Sequence, residues 1–192
     1  SILYKSGIYT MVGATNPSNS SIYTLPGSSV VWQMDRSSAT IVTNYGTING
    51  INFYGSSNVL SSRLIDMKSN SILRNFQIYG ASKFSNAVYL TCLLCYHKST
   101  NTLTENGYLN DFSGKQGFSS AGDNSALAVH SSKHNRFKNI NTGDYTIPNP
   151  NFSAFSVFNS SYVTFDGGEW QDVKGVFLRF GGSGHSNEVK NI

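Results

Sequence analysis

Charge is scarce in this chain. Lys, Arg, Asp and Glu together make up 12% of 192 residues, about half of what a globular domain usually carries. The basic residues are scattered and form no Lys/Arg run, so a nucleic-acid partner is not expected. No apolar run is long enough to span a membrane as a helix, and membrane insertion is not expected. The segment from Ser1 to Gly7 is too polar for the apolar region of a signal peptide. Nowhere does a 3.6-residue apolar period coincide with helix caps. No aspartates cluster with oxygen-ligand spacing, so neither a metal nor another cofactor is expected. The chain has two cysteines, Cys92 and Cys95. A lone C-x-x-C outside a βαβ unit is no redox signature, and two thiols cannot supply four zinc ligands. With Leu93 and Leu94 between them, they read as buried, inert thiols.

The place of charge is taken by Ser, Asn, Gly, Thr and aromatic residues, the last at 13%. Rings that stack on sugar faces and amides that bond hydroxyls suit a glycan-binding surface. Extracellular β-rich proteins share this texture without binding sugar. The net charge of +4 suits an anionic polymer such as an acidic polysaccharide or teichoic acid.

The most informative pattern is a repeat. Ile51-Asn52-Phe53-Tyr54-Gly55 returns as Phe76-Gln77-Ile78-Tyr79-Gly80, 25 residues later. Alternating apolar residues make each copy a strand, and a strand recurring at such an offset indicates stacked coils. The apolar-then-polar step recurs at Leu109-Asn110, Ile140-Asn141 and Phe165-Asp166, with anchors spaced 25, 33, 31 and 25 residues apart and a further 27 to Ile192. This predicts Ile51 over Phe76 and Ile140 next to Phe165 in the core, with Asn52, Gln77, Asn110, Asn141 and Asp166 as an outward polar ladder; a buried ladder bonded along the stack is the alternative. A second set of strands is expected at Val30–Met34, Leu64–Met67, Ala87–Leu90, Leu127–Val129, Phe155–Phe158 and Val176–Phe180. Ser- and Asn-rich corners follow several of them. The fold class is therefore all-β: a single-stranded parallel β-helix, or solenoid, of about six coils. Residues 1–29 read as entry strands and 30–192 as one continuous domain. The last strand breaks off near Ile192, so an N-terminal part of a longer helix is expected, its open end covered by the remainder of the β-helix from the same or another chain.

Two segments carry a family resemblance. Gly7-Ile8-Tyr9-Thr10 is followed by Ile22-Tyr23-Thr24-Leu25-Pro26-Gly27-Ser28-Ser29-Val30-Val31, and Ser186-Asn187-Glu188-Val189-Lys190-Asn191-Ile192 closes the chain. These resemble the opening and inner coils of right-handed parallel β-helix proteins of the pectate-lyase-like superfamily. Within it, the low-charge, Ser/Asn/Tyr-rich texture is most similar to bacteriophage tailspikes. That resemblance implies an extracellular homotrimer in the virion tail, which attaches to the host by binding, and in many cases degrading, a bacterial surface glycan. A secreted monomeric polysaccharide lyase or glycoside hydrolase is one alternative; a non-catalytic adhesin is another. The enzyme question leans toward a polysaccharide-degrading hydrolase or lyase. Trimer symmetry, and release of reducing ends or unsaturated products, separate these readings.

Candidate chemistry concentrates in Asp166-Gly167-Gly168-Glu169-Trp170-Gln171-Asp172. Asp166, Glu169 and Asp172 are catalytic candidates because glycoside hydrolysis uses two carboxyl groups; solvated turn carboxylates are the plainer reading, as they are for Glu105 and Asp111. Tyr54, Tyr79, Trp170 and Asn141 are binding candidates, the two tyrosines at equivalent outward positions and the Trp extending the patch. Shielding of the wall, or packing in a trimer interface, is the competing role for the tyrosines. Gly184-His185-Ser186 only partly matches the Gly-His-Gly element of polygalacturonases, whose companion elements are absent. His97, His130, His134 and His185 stand singly in the sequence.

Overall fold

The computed structural model describes residues 8–12, 21–24, 29–35, 41–54, 63–79, 92–113, 125–146, 153–171 and 176–192. Among them the chain forms strands and no helix. In chain order these are β1 (Ile8–Val12), β2 (Ser21–Thr24), β3 (Ser29–Asp35), β4 (Ile41–Asn44), β5 (Thr47–Tyr54), β6 (Arg63–Met67), β7 (Ile72–Tyr79) and β8 (Cys92–His97). They continue as β9 (Leu103–Ser113), β10 (Ser125–His130), β11 (Arg136–Thr146), β12 (Ser153–Phe158), β13 (Thr164–Asp166), β14 (Val176–Gly181) and β15 (Glu188–Lys190). Odd-numbered strands form one sheet of eight, and even-numbered strands a second sheet of seven. All pairings are parallel. Parallel neighbours need a crossover, and here each crossover contains a strand of the other sheet.

Parallel pairing makes equivalent residues recur at one height, as rungs. The repeat offset of 25 is confirmed: Ile51, Asn52, Phe53 and Tyr54 pair with Phe76, Gln77, Ile78 and Tyr79. The core lies between the sheets. Ile65, Leu94, Leu127 and Phe155 form an inward rung of the even sheet, and Ile48, Leu73, Thr104, Phe137 and Phe165 one of the odd sheet. Rings join them: Phe137 stacks on Phe165 with centroids 4.6 Å apart, Tyr96 meets Phe137 edge-on at 4.9 Å, and Phe155 lies 5.8 Å from Phe165. Offset and edge-on pairs of this kind stabilise beyond their buried area. Tyr96 is fully buried and hydrogen-bonded to Thr104 Oγ1 at 2.5 Å. Burial pushes its phenol up, and the Thr104 bond opposes this weakly.

Tight corners lead from even to odd strands. Ser99, Ser132 and Ser160 stack inside them, all buried. The Ser99 amide donates to Ser132 Oγ and the Ser132 amide to Ser160 Oγ, at 3.1 and 3.0 Å. Two residues take positive φ in each of the later corners, Lys98 and Asn101, Ser131 and His134, Asn159 and Tyr162, Gly182 and Ser186, whereas the corner between β6 and β7 has Asn70 alone. A corner of this sharpness needs left-handed residues, which Asn tolerates best among non-glycines.

Several expectations are corrected. Val30–Met34 belongs to β3 of the odd sheet, not to the even set. The even strand between β6 and β10 is Cys92–His97; Ala87–Leu90 lies outside the described residues. Leu109 pairs with Ile78, two residues from the expected register, and Phe165 pairs with Phe137 rather than Ile140. Both errors have one cause, a Gly or a bend where an apolar anchor was expected. Cys95 is buried as expected but is disulfide-bonded, not a free thiol; with two cysteines in the chain there is one possible pair.

Gly107 occupies the rung of Phe76 and Ile140. A Cβ there would sit 2.2 Å from Phe76 Cζ, so the Phe76 ring fills the space a side chain would need. Gly107→Ala is expected to destabilise the fold by about 1–3 kcal/mol, the usual cost of overpacking. Placing it in a Phe76→Leu background should cost less than the sum of the two single changes. Urea denaturation of the four proteins measures this, and strict additivity would contradict the assigned contact.

Candidate functional site

The long strands of the odd sheet are bent in the middle. In β11, Phe137 and Ile140 are buried while Lys138 and Asn139 between them are exposed. Simple alternation would not place two exposed residues together. The bend is Asn139, at φ 51°, and its rung continues through Asn75 at 53° and Asn106 at 54°. Glycines hold the same position on either side: Gly50 at φ 72° precedes Ile51, and Gly167 at 73° follows Asp166. Asn or Gly is the expected choice for a recurring left-handed residue.

The amides of this rung bond to each other. Asn75 Nδ2 donates to Asn49 Oδ1 at 2.7 Å, Asn106 Nδ2 to Asn75 Oδ1 at 3.2 Å, and Asn139 Nδ2 to Asn106 Oδ1 at 3.2 Å. The expected polar rung is present in part: Asn52, Gln77 and Asn141 share one height, whereas Asn110 and Asp166 lie off it. The amides bonded along the stack belong instead to the bend rung, whose sequence signal was the Asn or Gly immediately before the anchors Ile51, Phe76 and Ile140. Each of these amides has a second N–H and a second lone pair, and Asn75, Asn106 and Asn139 line a groove of about 370 Å³. Asn75, Gln77, Asn106, Tyr108, Asn139 and Asn141 supply its polar lining.

Beside the bend on its N-terminal side runs a rung of alternating charge: Arg74, Glu105, Lys138, Asp166, Lys190. Arg74 approaches Glu105 at 3.9 Å and Lys190 approaches Asp166 at 3.9 Å. On the other side, Asn52, Gln77, Tyr108 and Asn141 share a neutral rung. Cross-strand pairing of opposite charges contributes modestly at such exposure.

The catalytic candidates divide. Asp166 sits on the charged rung, where Asn191 Nδ2 donates to its Oδ1 at 2.7 Å. Glu169 is past the bend; its amide donates to Asn141 Oδ1 at 2.8 Å, and its carboxylate accepts from Gln171 Nε2 at 3.1 Å. Asp172 lies outside the described residues. Asn141 therefore joins the groove to Glu169. Trp170 does not extend a tyrosine patch: it pairs with Thr142, on the inward rung of Leu109 and Ile78. Its ring stacks on Phe177 at 3.8 Å, meets Phe155 edge-on at 5.9 Å, and its Nε1 donates to the Ile140 carbonyl at 3.1 Å. Tyr54 and Tyr79 are register partners; their side chains lie outside what the structure describes. The reading of the sequence missed Tyr108, which takes the groove position held by Gln77 and Asn141 on neighbouring strands.

Among the described residues no group of three His, Cys, Asp or Glu side chains is arranged to hold a metal ion. No family model, curated protein or solved structure matches this chain.

The bend itself makes a test. Asn106→Ala is expected to cost about 1–2 kcal/mol, because Ala pays the left-handed penalty and the ladder breaks. Asn106→Gly removes the same amide without the penalty, so it should cost less. Thermal unfolding of both variants checks the order; Ala more stable than Gly would contradict a left-handed rung at this position.

Proposed function

We propose that the chain is part of a right-handed parallel β-helix whose bent wall binds a bacterial surface glycan, as in a phage tailspike-type receptor-binding protein. The observation that carries this reading is the groove at the bend. It is lined by amides and one phenol, with Phe76 and Gly107 at its floor, and it repeats over β7, β9 and β11. Amides that are half-used by their own ladder still present a donor and an acceptor each, which suits vicinal sugar hydroxyls. Tyr108 supplies the aromatic ring of the groove lining. Alternation of two parallel sheets through the described strands fits such a coil. A homotrimer in the virion tail, outside the cell, belongs to the same reading.

The second reading is enzymatic, and Glu169 is the observation that favours it. Its backbone amide is held by Asn141 at the end of the groove, and its exposed carboxylate accepts from Gln171. Asp166, across the bend, is a second carboxylate three residues away in the sequence, as is Asp172. In this reading the protein is a hydrolase or lyase, attached to the tail or secreted. In its absence the groove is that of a binder or adhesin.

A panel of bacterial surface glycans separates these outcomes. Binding is measured by calorimetry, and products by mass spectrometry. Tyr108→Ala is expected to weaken the best ligand about tenfold, or about 1.4 kcal/mol, with little change in stability. Reducing ends or unsaturated products that disappear in Glu169→Gln would establish degradation. A Tyr108→Ala protein that binds every glycan unchanged would overturn the groove assignment.

A further inference from the structure

The corners form a second surface of different character. Residues 98–102, 131–135, 159–163 and 182–187 contain no Asp or Glu. They carry Lys98 and Lys133, and Arg136 follows directly at the start of β11. All three cations are exposed and none is in an ion pair among the described residues. Beyond these four corners the pattern is the opposite: Lys68, in the preceding corner, pairs with Asp66 at 2.7 Å, Arg74 with Glu105, and Lys190 with both Glu188 and Asp166. The nearest acid along the Arg136 rung is Glu188, two strands away and already paired.

Aromatic rings line the same edge. His134 stacks on Tyr162 with centroids 4.7 Å apart and planes 8° from parallel, and Tyr162 meets His185 edge-on at 5.2 Å. A parallel stripe at the strand ends runs His97, His130, Phe158, with the His130 and Phe158 rings 5.1 Å apart. Tyr162 is 45% exposed and Phe158 39%. All four histidines of the chain thus lie on this one edge, though they are dispersed in sequence. Unpaired cations beside exposed ring faces recognise two features together: fixed negative charge and the apolar face of a sugar ring.

We infer that the corner edge is a separate binding surface for an anionic glycan, with Lys98, Lys133 and Arg136 taking its carboxylate or sulfate groups and Tyr162 stacking on its rings. The site is independent of the groove at the bend, whose flanking charges alternate and so favour no polyanion. Its failure would leave the groove reading intact.

The test uses polygalacturonate, dextran sulfate, uncharged dextran, inorganic polyphosphate and a single-stranded oligonucleotide as probes. The Lys98→Gln/Lys133→Gln protein is expected to bind the two charged glycans about tenfold more weakly, whereas Lys138→Gln, on the charged rung of β11 between Glu105 and Asp166, changes them less than about twofold. Tyr162→Asn places on the rung the residue it already carries at Asn101. It should weaken both charged glycans about threefold or more, as loss of a stacking ring does, and leave polyphosphate binding unchanged. Uncharged dextran should bind more weakly than either charged glycan. Three results would overturn the proposal: no binding of either charged glycan, an equal loss in Lys138→Gln, or tighter binding of the oligonucleotide that Tyr162→Asn does not affect.

Discussion

Parallel pairing forces every strand of a sheet to repeat the backbone of its neighbour, and the rest of this structure follows from that constraint. A left-handed residue in one strand must be matched in the next, or the hydrogen bonds on both sides of it are lost. Gly50, Asn75, Asn106, Asn139 and Gly167 are the outcome. The wall bends at one height throughout, and the bend becomes a groove rather than a local dent. The amide ladder is secondary to this: Asn is preferred for its backbone, and the side-chain bonds follow because the residues are stacked. Gly167 interrupts the amides before Asn191, at φ 55°, resumes the left-handed rung; a Cβ at Gly167 would come 2.6 Å from Asn139 Oδ1, so Gly there suits both the backbone and the crowding.

The corners obey the same rule with different chemistry. Their interior is polar yet buried, and the stacked serines satisfy it. Ser132 Oγ donates to the His130 and Tyr96 carbonyls while receiving the Ser99 amide. Asn135 Oδ1 accepts from Thr102, and Asn187 Oδ1 from the Val163 amide. A hydroxyl or amide at each height answers backbone groups that a sharp corner would otherwise leave unpaired. The outer side of the corners is thereby free to carry Lys, His and Tyr, since nothing structural depends on what points to solvent. Low overall charge then has a consequence: unpaired cations are few, and those present stand out.

How much of this was legible in the sequence depends on the rung. Ile51 and Phe76 could be aligned because β5 and β7 share the same apolar alternation after the bend, Ile51 and Phe53 matching Phe76 and Ile78. Leu109 was placed two residues out because Gly107 holds the anchor position and Phe76 fills its space, so the apolar signal is missing where the strand most needs it. Phe165 was placed on the wrong rung because a bent strand carries two inward-then-outward steps. Phe137-Lys138 and Ile140-Asn141 look alike in sequence, and only pairing shows which one Phe165-Asp166 continues. β8 gave no alternation to follow: Leu94, Cys95 and Tyr96 are all buried. Of the candidate site, Asn141 and Glu169 prove to be bonded to each other, whereas Trp170 points inward to the rings of Phe155 and Phe177. Tyr108 and the bend asparagines escaped notice because a period-two reading has no place for a left-handed residue.

The central claim is that the asparagines at the bend form one continuous rung. Side-chain amide NOEs in a selectively Asn-labelled sample test it most directly. The account predicts contacts from Asn106 to both Asn75 and Asn139, with Asn75 reaching Asn49, and none linking Asn110 to Gln77. Contacts joining Asn110 to Gln77 and Asn141, with Asn106 isolated, would restore the straight-strand register and contradict the bend, the groove and the function proposed for it.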